Sequence, residues 1–289
     1  MFAPSIRRFA PLSLTLLALG LAGCETTSRG VAQRIAVVEE DTQGTSSVNI
    51  ASLTDVIQRN PSDPSAYNTR GAAYARVGRY SDAITDFNKA VQIDQNYAPA
   101  YTNRALAFRQ TNRNEQALAD FSRAIQADPN YGPAYIGRGN LLRAQNQYQE
   151  ALNDLSVAIR LLPESAEALH ARGLLYQRQG QHPQAILDFD ATIDRNPFVG
   201  APYAARGQSL VATGQFDKAI EDFNAALNVN PQDADSWAWR GVAFERKGDR
   251  PQAVESFQRA LSIDNANATA RQGQSRVQGG GGGVAGLFR

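Results

Sequence analysis

Apolar and small side chains recur along this chain with two interleaved periods. Over short distances they fall three and four residues apart, the spacing that puts side chains on one face of an α-helix. Tyr203, Gly207 and Leu210 mark one such face; Ala219, Ile220, Phe223, Ala226 and Leu227 mark another shortly after it. Over long distances the whole pattern returns every thirty-four residues. Copies begin at Pro64, Ala98, Gly132, Ala166, Gly200 and Ala234, with no insertion or deletion between them. The unit is a pair of helices, and six pairs are predicted in register over residues 64–267.

Chain-breaking residues delimit the helices. The fifteenth position of the unit holds Gly78, Asn112, Asn146, Gly180, Gly214 and Gly248, the two residue types that accept left-handed backbone at a helix end. Second helices should stop near Pro129, Pro163, Pro197 and Pro231, because proline lacks an N–H donor and restricts the residue before it. Pro99, Pro133, Pro183 and Pro251 stand where helices should start, a place that tolerates proline. Position eight is Gly71, Ala105, Gly139, Gly173, Gly207 and Gly241, and position twenty is Ala in every unit. These small residues let the helices approach. The candidate core is completed by Tyr74, Phe108, Leu142, Tyr176, Leu210 and Phe244 on first helices. Phe87, Phe121, Leu155, Phe189, Phe223 and Phe257 complete it on second helices.

The order of a large residue at four, small at eight, aromatic at eleven, Ala at twenty, aromatic at twenty-four, Ala at twenty-seven and Pro at thirty-two resembles the tetratricopeptide repeat family. Leu169, Thr192, Gln95 and Asn265 depart from it. The resemblance implies an all-α fold: a right-handed α-solenoid of six helix-turn-helix repeats (64–97, 98–131, 132–165, 166–199, 200–233 and 234–267). Each solenoid unit is stable only against its neighbours, so the ends need covers. Residues 50–63 are expected to form an N-terminal capping helix, with Leu53, Val56 and Ile57 at packing positions. Residues 268–278 should form a polar C-terminal capping helix. Residues 279–289 read as a Gly-rich linker and short apolar tail, either disordered or a tethered peptide.

The chain has 289 residues and a formal net charge of +1, a balance that argues against nucleic acid as a partner. Arg7 and Arg8 precede a short apolar run ending in Leu21-Ala22-Gly23-Cys24. The run is too short to span a membrane comfortably and reads as a targeting segment, residues 1–23. It resembles a bacterial lipoprotein signal, which implies cleavage before Cys24, acylation of Cys24, and a flexible membrane tether over residues 24–49. Cys24 is the sole cysteine, so an internal disulfide is excluded. Glu25 resembles the residue of lipoproteins sent on to the outer membrane.

This combination resembles the NlpI-like lipoproteins. It implies a non-catalytic scaffold or adaptor, lipid-anchored at the outer membrane and facing the periplasm, that organises cell-wall hydrolases or a periplasmic protease. The alternative is an assembly factor for a pilus secretin or an outer-membrane β-barrel complex.

One feature departs from the family pattern in every unit. Position seven is Arg70, Arg104, Arg138, Arg172, Arg206 and Arg240; position twenty-three is Asp86, Asp120, Asp154, Asp188 and Asp222, then Ser256. Both positions lie eight residues from the turn, so they should stand level and form charge-assisted pairs. Such a ladder is either a tie between helices or a row of anion-binding arginines.

The family's ligands lie in a concave face lined by first helices. The matching positions carry Asn68, Arg76, Thr102, Leu106, Arg109, Ile136, Asn140, Arg143, His170, Leu174, Gln177, Arg178, Gln208, Glu245 and Arg246. That lining predicts a groove for an extended, partly acidic peptide or a partner's surface helix. Its partners would be other envelope proteins, with the membrane held through Cys24 and a homo-oligomer allowed. No catalytic residue, metal site or cofactor is expected. His170 and His182 have no Cys or acidic cluster at ligand spacing, and no phosphate loop or nucleophile elbow occurs.

Overall fold

Proline stands at the first or second position of five helices, with Pro64, Pro99, Pro133, Pro183 and Pro251 in those places. There its missing donor is one that the helix would leave unpaired anyway. The turn within each pair is set by backbone sign. Gly78, Asn112, Asn146, Gly180, Gly214 and Gly248 all have positive φ, between 58° and 91°, so a β-branched residue at any of the six would be strained.

The computed structural model describes residues 50–279. Among them are fourteen α-helices and no strand: α1 (50–59), α2 (Pro64–Arg76), α3 (Tyr80–Ile93), α4 (Ala98–Gln110), α5 (Asn114–Ala127), α6 (Gly132–Ala144), α7 (Tyr148–Leu161), α8 (Ala166–Arg178), α9 (His182–Arg195), α10 (Gly200–Ala212), α11 (Phe216–Val229), α12 (Ala234–Lys247), α13 (Arg250–Ile263) and α14 (Ala268–Gly279). Contacts divide the chain into Met1–Ser52 and the part from Leu53 onward. The expected signal segment, Cys24, the expected tether and the tail from residue 280 lie outside the described residues.

From Leu53 onward the helices form an α-solenoid. Each even-numbered helix packs on the helix after it and on the next even-numbered helix, so α4 touches α5 and α6, and α12 touches α13 and α14. The core is a stripe between the two helix rows. Phe87, Phe121, Leu155, Phe189, Phe223 and Phe257 are fully buried, as are Ala83, Ala117, Ala151, Ala185, Ala219 and Ala253. Close approach explains the glycines: a Cβ on Gly71 would stand 2.6 Å from the Phe87 ring. In the second repeat the small residue is Ala105, and the Phe121 ring instead leans on the next repeat, where a Cβ on Gly137 would lie 2.2 Å from it.

Two expectations at the ends need correction. Val56 is 44% exposed, whereas Ile57 is buried. Val56 holds the twenty-seventh repeat position, which elsewhere packs against its own first helix, and α1 has none among the described residues. At the other end α14 runs to Gly279, one residue beyond the expected stop. Its Ala270, Gly273 and Val277 are buried, so it packs as a seventh first helix. No helix among the described residues is long and apolar enough to cross a membrane.

Candidate functional site

The arginines of position seven and the carboxylates of position twenty-three meet. Arg70, Arg104, Arg138, Arg172 and Arg206 each donate through Nε and Nη2 to both oxygens of Asp86, Asp120, Asp154, Asp188 and Asp222, at 2.6–2.8 Å. This is bidentate, charge-assisted geometry. The aspartates are 4–6% exposed, so the pairs sit between the helix rows.

A third partner escaped the sequence reading. Sixteen residues before the arginine, Thr54 on α1 and Asn88, Ser122, Asp190 and Asn224 on the second helix of the preceding repeat accept from Nη1 of Arg70, Arg104, Arg138, Arg206 and Arg240 at 2.6–3.1 Å. Each of these arginines therefore reaches across a repeat junction. Neighbouring aromatic faces hold the guanidinium of Arg70, Arg104, Arg206 and Arg240, with Trp237 at 4.2 Å from Arg240.

The last rung differs. Arg240 donates to the Ser256 hydroxyl at 3.1 Å, where the other units supply a carboxylate. Hydrogen bonds donated to Asp86, Asp154, Asp188 and Asp222 hold Arg70, Arg138, Arg172 and Arg206 above the usual arginine range, whereas burial pushes Arg240 below it. Ser256→Asp is expected to complete the rung and raise the unfolding free energy by about 1 kcal/mol, read as a higher urea midpoint. A midpoint that falls would show that burying the new carboxylate outweighs the pairing.

The residues predicted to line the groove divide into three groups. Arg76, Leu106, Arg178 and Arg246 are exposed; Asn68, Arg109, Asn140, Arg143, His170, Leu174, Gln177, Gln208 and Glu245 are half-buried. Thr102 and Ile136 are 3% and 7% exposed, and they correct the prediction. Both occupy position five, which in these two units turns into the junction with the neighbouring helices, whereas Asn68 and His170 at the same position stay half-buried. Ile136 packs with Ala158 and Ala168 there.

Several of the remainder are already engaged within the chain. Asn68 accepts from Asn103, and Asn140 donates to Glu167. Gln177 donates to the Ala205 carbonyl and the Ser209 hydroxyl. Glu245 accepts from Nε and Nη2 of Arg276 on α14, at 2.7 and 2.6 Å.

The structure gathers Gln177, Gln208 and Arg246 into a cleft of about 820 Å³, together with His182, Val211, Phe216, Trp239, Val242, Thr269, Gln272 and Arg276. The sequence reading missed its apolar wall. Val242 and Val211 hold positions nine and twelve, the same positions as Leu106 and Arg109, but look like core residues in a one-dimensional pattern. No group of His, Cys, Asp and Glu among the described residues could hold a metal ion.

Farther along the same helix row, Arg143 and His170 each bury a ring or guanidinium nitrogen without a partner. Burial first, and Arg143 second, push His170 below its usual value of 6.5. The unfolded chain then binds more protons than the folded one as pH falls through 6.5, so this contribution to stability is lost on acidification. His170→Gln is expected to flatten the stability slope between about pH 7 and 5, measured by urea denaturation of both proteins. An unchanged slope would place the His170 proton equilibrium elsewhere.

Comparison with known families matches residues 64–97, 98–131 and 204–268 to "Tetratricopeptide repeat" and residues 139–180 to "TPR repeat", together more than half of the chain. A curated relative, "Heat shock protein sti1 homolog" of Schizosaccharomyces pombe, is 41% identical over 49 residues, 17% of this chain and 8% of that protein. The chain thus spans under a tenth of that relative's length. Among solved structures, the APC/C hetero-tetramer Cut9-Hcn1 is similar at TM-score 0.67 and 19% identity, covering 78% of this chain and 45% of that one, so less than half of its length is spanned. PilF of Pseudomonas aeruginosa is similar at TM-score 0.68 and 20% identity, over 76% of this chain and 99% of that one. These two likenesses establish the fold alone. YrrB, described as a TPR protein with an unusual peptide-binding site, has TM-score 0.59 and 25% identity over 65% of this chain and 97% of its own. With its paired helices, its thirty-four-residue period and these matches, the chain belongs to the tetratricopeptide repeat family.

Proposed function

We propose that this chain is a non-catalytic protein-binding scaffold, anchored through an acylated Cys24 on the periplasmic side of the outer membrane. There it organises cell-wall hydrolases or the protease that removes them. The observation that carries the binding role is the cleft of about 820 Å³ between first helices and the starts of α9 and α11, with Trp239, Phe216, Val211 and Val242 among polar side chains. That mixture of apolar wall and a few orienting polar groups suits a peptide ligand. The similarity to YrrB, described as binding peptide, supports the same reading. Tethering a rigid surface to a membrane raises the effective concentration of whatever it holds.

The test is capture from detergent-solubilised envelopes with the lipidated chain. Recovery of a murein hydrolase or periplasmic protease supports the proposal. Trp239→Ala and the exposed Arg246→Glu should then lower the yield about tenfold or more. Recovery of secretin or barrel-assembly subunits would replace the hydrolase assignment with an assembly role. Cys24→Ser is expected to move the chain from the membrane to the soluble fraction, since stable anchoring requires the acyl chains. A chain still on the membrane after that change would remove the anchor from the proposal.

A further inference from the structure

Two sets of first-helix arginines differ chemically. Those of position seven carry partners, five of them carboxylates. The guanidinium groups of Arg109, Arg143 and Arg178, on the successive first helices α4, α6 and α8, have no hydrogen bond or ion pair among the described residues. Neither α4 nor α6 contains an acidic residue, and α8 contains only Glu167, which accepts from Asn140. Burial and the like charges of Arg178 and Arg109 push the Arg143 guanidinium below its usual range. One of its nitrogens is shut off from water without an acceptor. A cation under such repulsion is stabilised by an anion brought from outside.

We propose that this row binds a partner segment in polyproline II conformation that presents a carboxylate at every third residue. The spacing argument is geometric. Packed helices stand ~8–10 Å apart. A polyproline II strand advances ~3.1 Å per residue with three residues per turn, so every third side chain returns to the same edge after ~9 Å. Each carboxylate thus meets one arginine of the row. Leu106 on α4 and Leu174 on α8, exposed and half-buried respectively, offer apolar contact to the residues between. A fully extended β-strand would turn alternate side chains away and could not keep a three-residue register on one edge. The inference rests on the scaffold reading and names the chemistry of one segment that such a scaffold takes.

The experiment is fluorescence anisotropy of a labelled peptide, Glu-Pro-Ala repeated three times, titrated with the full chain in detergent. Two comparison peptides have Gln for Glu, or the same composition with the three glutamates adjacent. The spaced acidic peptide should bind, the Gln peptide should not, and the clustered one should bind about tenfold more weakly. Arg143→Glu should abolish binding; Arg178→Glu, at an exposed position that leaves folding intact, should weaken it about tenfold or more. Equal affinity for spaced and clustered peptides overturns the proposal. So does binding of inorganic phosphate or anionic phospholipid vesicles, sensitive to Arg178→Glu, when the peptides do not bind. If the spaced peptide fails while the lipidated chain still captures an envelope protein, this inference falls and the scaffold reading stands. If the peptide binds and no protein is ever captured, the reverse holds.

Discussion

Truncating Phe223 to alanine is expected to lower the unfolding free energy by about 4 kcal/mol, the upper range for core truncations. The ring is fully buried and packs with Leu210, Ala219 and Ala243, from α10, α11 and α12. It therefore joins a repeat to itself and to the next repeat. A Cβ on Gly207 would lie 2.8 Å from this ring, so the surroundings are fitted to it. Backbone so closely apposed has little room to collapse into the space left behind. In an array whose units contact only their neighbours, the loss should be spatially confined. Hydrogen exchange should accelerate first in α10 to α12, while α2 to α5 keep their protection. Urea denaturation showing a cost below 1 kcal/mol, or exchange rising evenly along the array, would contradict this picture.

The second large effect comes from the ladder. Asp188→Ala is expected to cost about 3 kcal/mol, because it strands a partly buried cation. Arg172 makes its ion pair with Asp188 alone, at 2.7 Å. Asp222→Ala should cost clearly less, since Arg206 keeps its pair with Asp190 at 2.6 Å. The order of the two urea midpoints is the diagnostic. Equal costs would mean that the pairs act only through packing. The double change Asp188→Ala with Arg172→Met should recover much of the loss, because a buried pair replaced as a whole is often nearly neutral.

Much of this was legible in the sequence, and the exceptions share a cause. The helix pairs could be read because each is set by local chemistry that repeats: a left-handed turn residue, an Ala at twenty, an aromatic at twenty-four. The Arg–Asp pairing could be read because both residue types recur at fixed spacing. The partner on the preceding helix could not, because Thr54, Asn88, Ser122, Asp190 and Asn224 share a position but not a residue type. On the groove face the repeat rule misled at Thr102 and Ile136, where burial depends on the neighbours of that one unit. It also failed for Glu245, whose partner Arg276 comes from the capping helix. Val211 and Val242 went unseen because an apolar residue at helical spacing reads as interior until its surroundings are known.

The junction contacts made by the position-seven arginines have a consequence for how such an array can grow. One joint design is reused at five of the six repeats, with the same reach of sixteen residues forwards and backwards, while Arg172 makes only the forward contact. A whole thirty-four-residue module could be copied or excised between two joints, and the cut ends would still fit each other. Duplicating residues 132–165 would then add one more step to the first-helix face and one more arginine to the row of Arg109, Arg143 and Arg178, so gene duplication alone would lengthen the segment proposed to bind there.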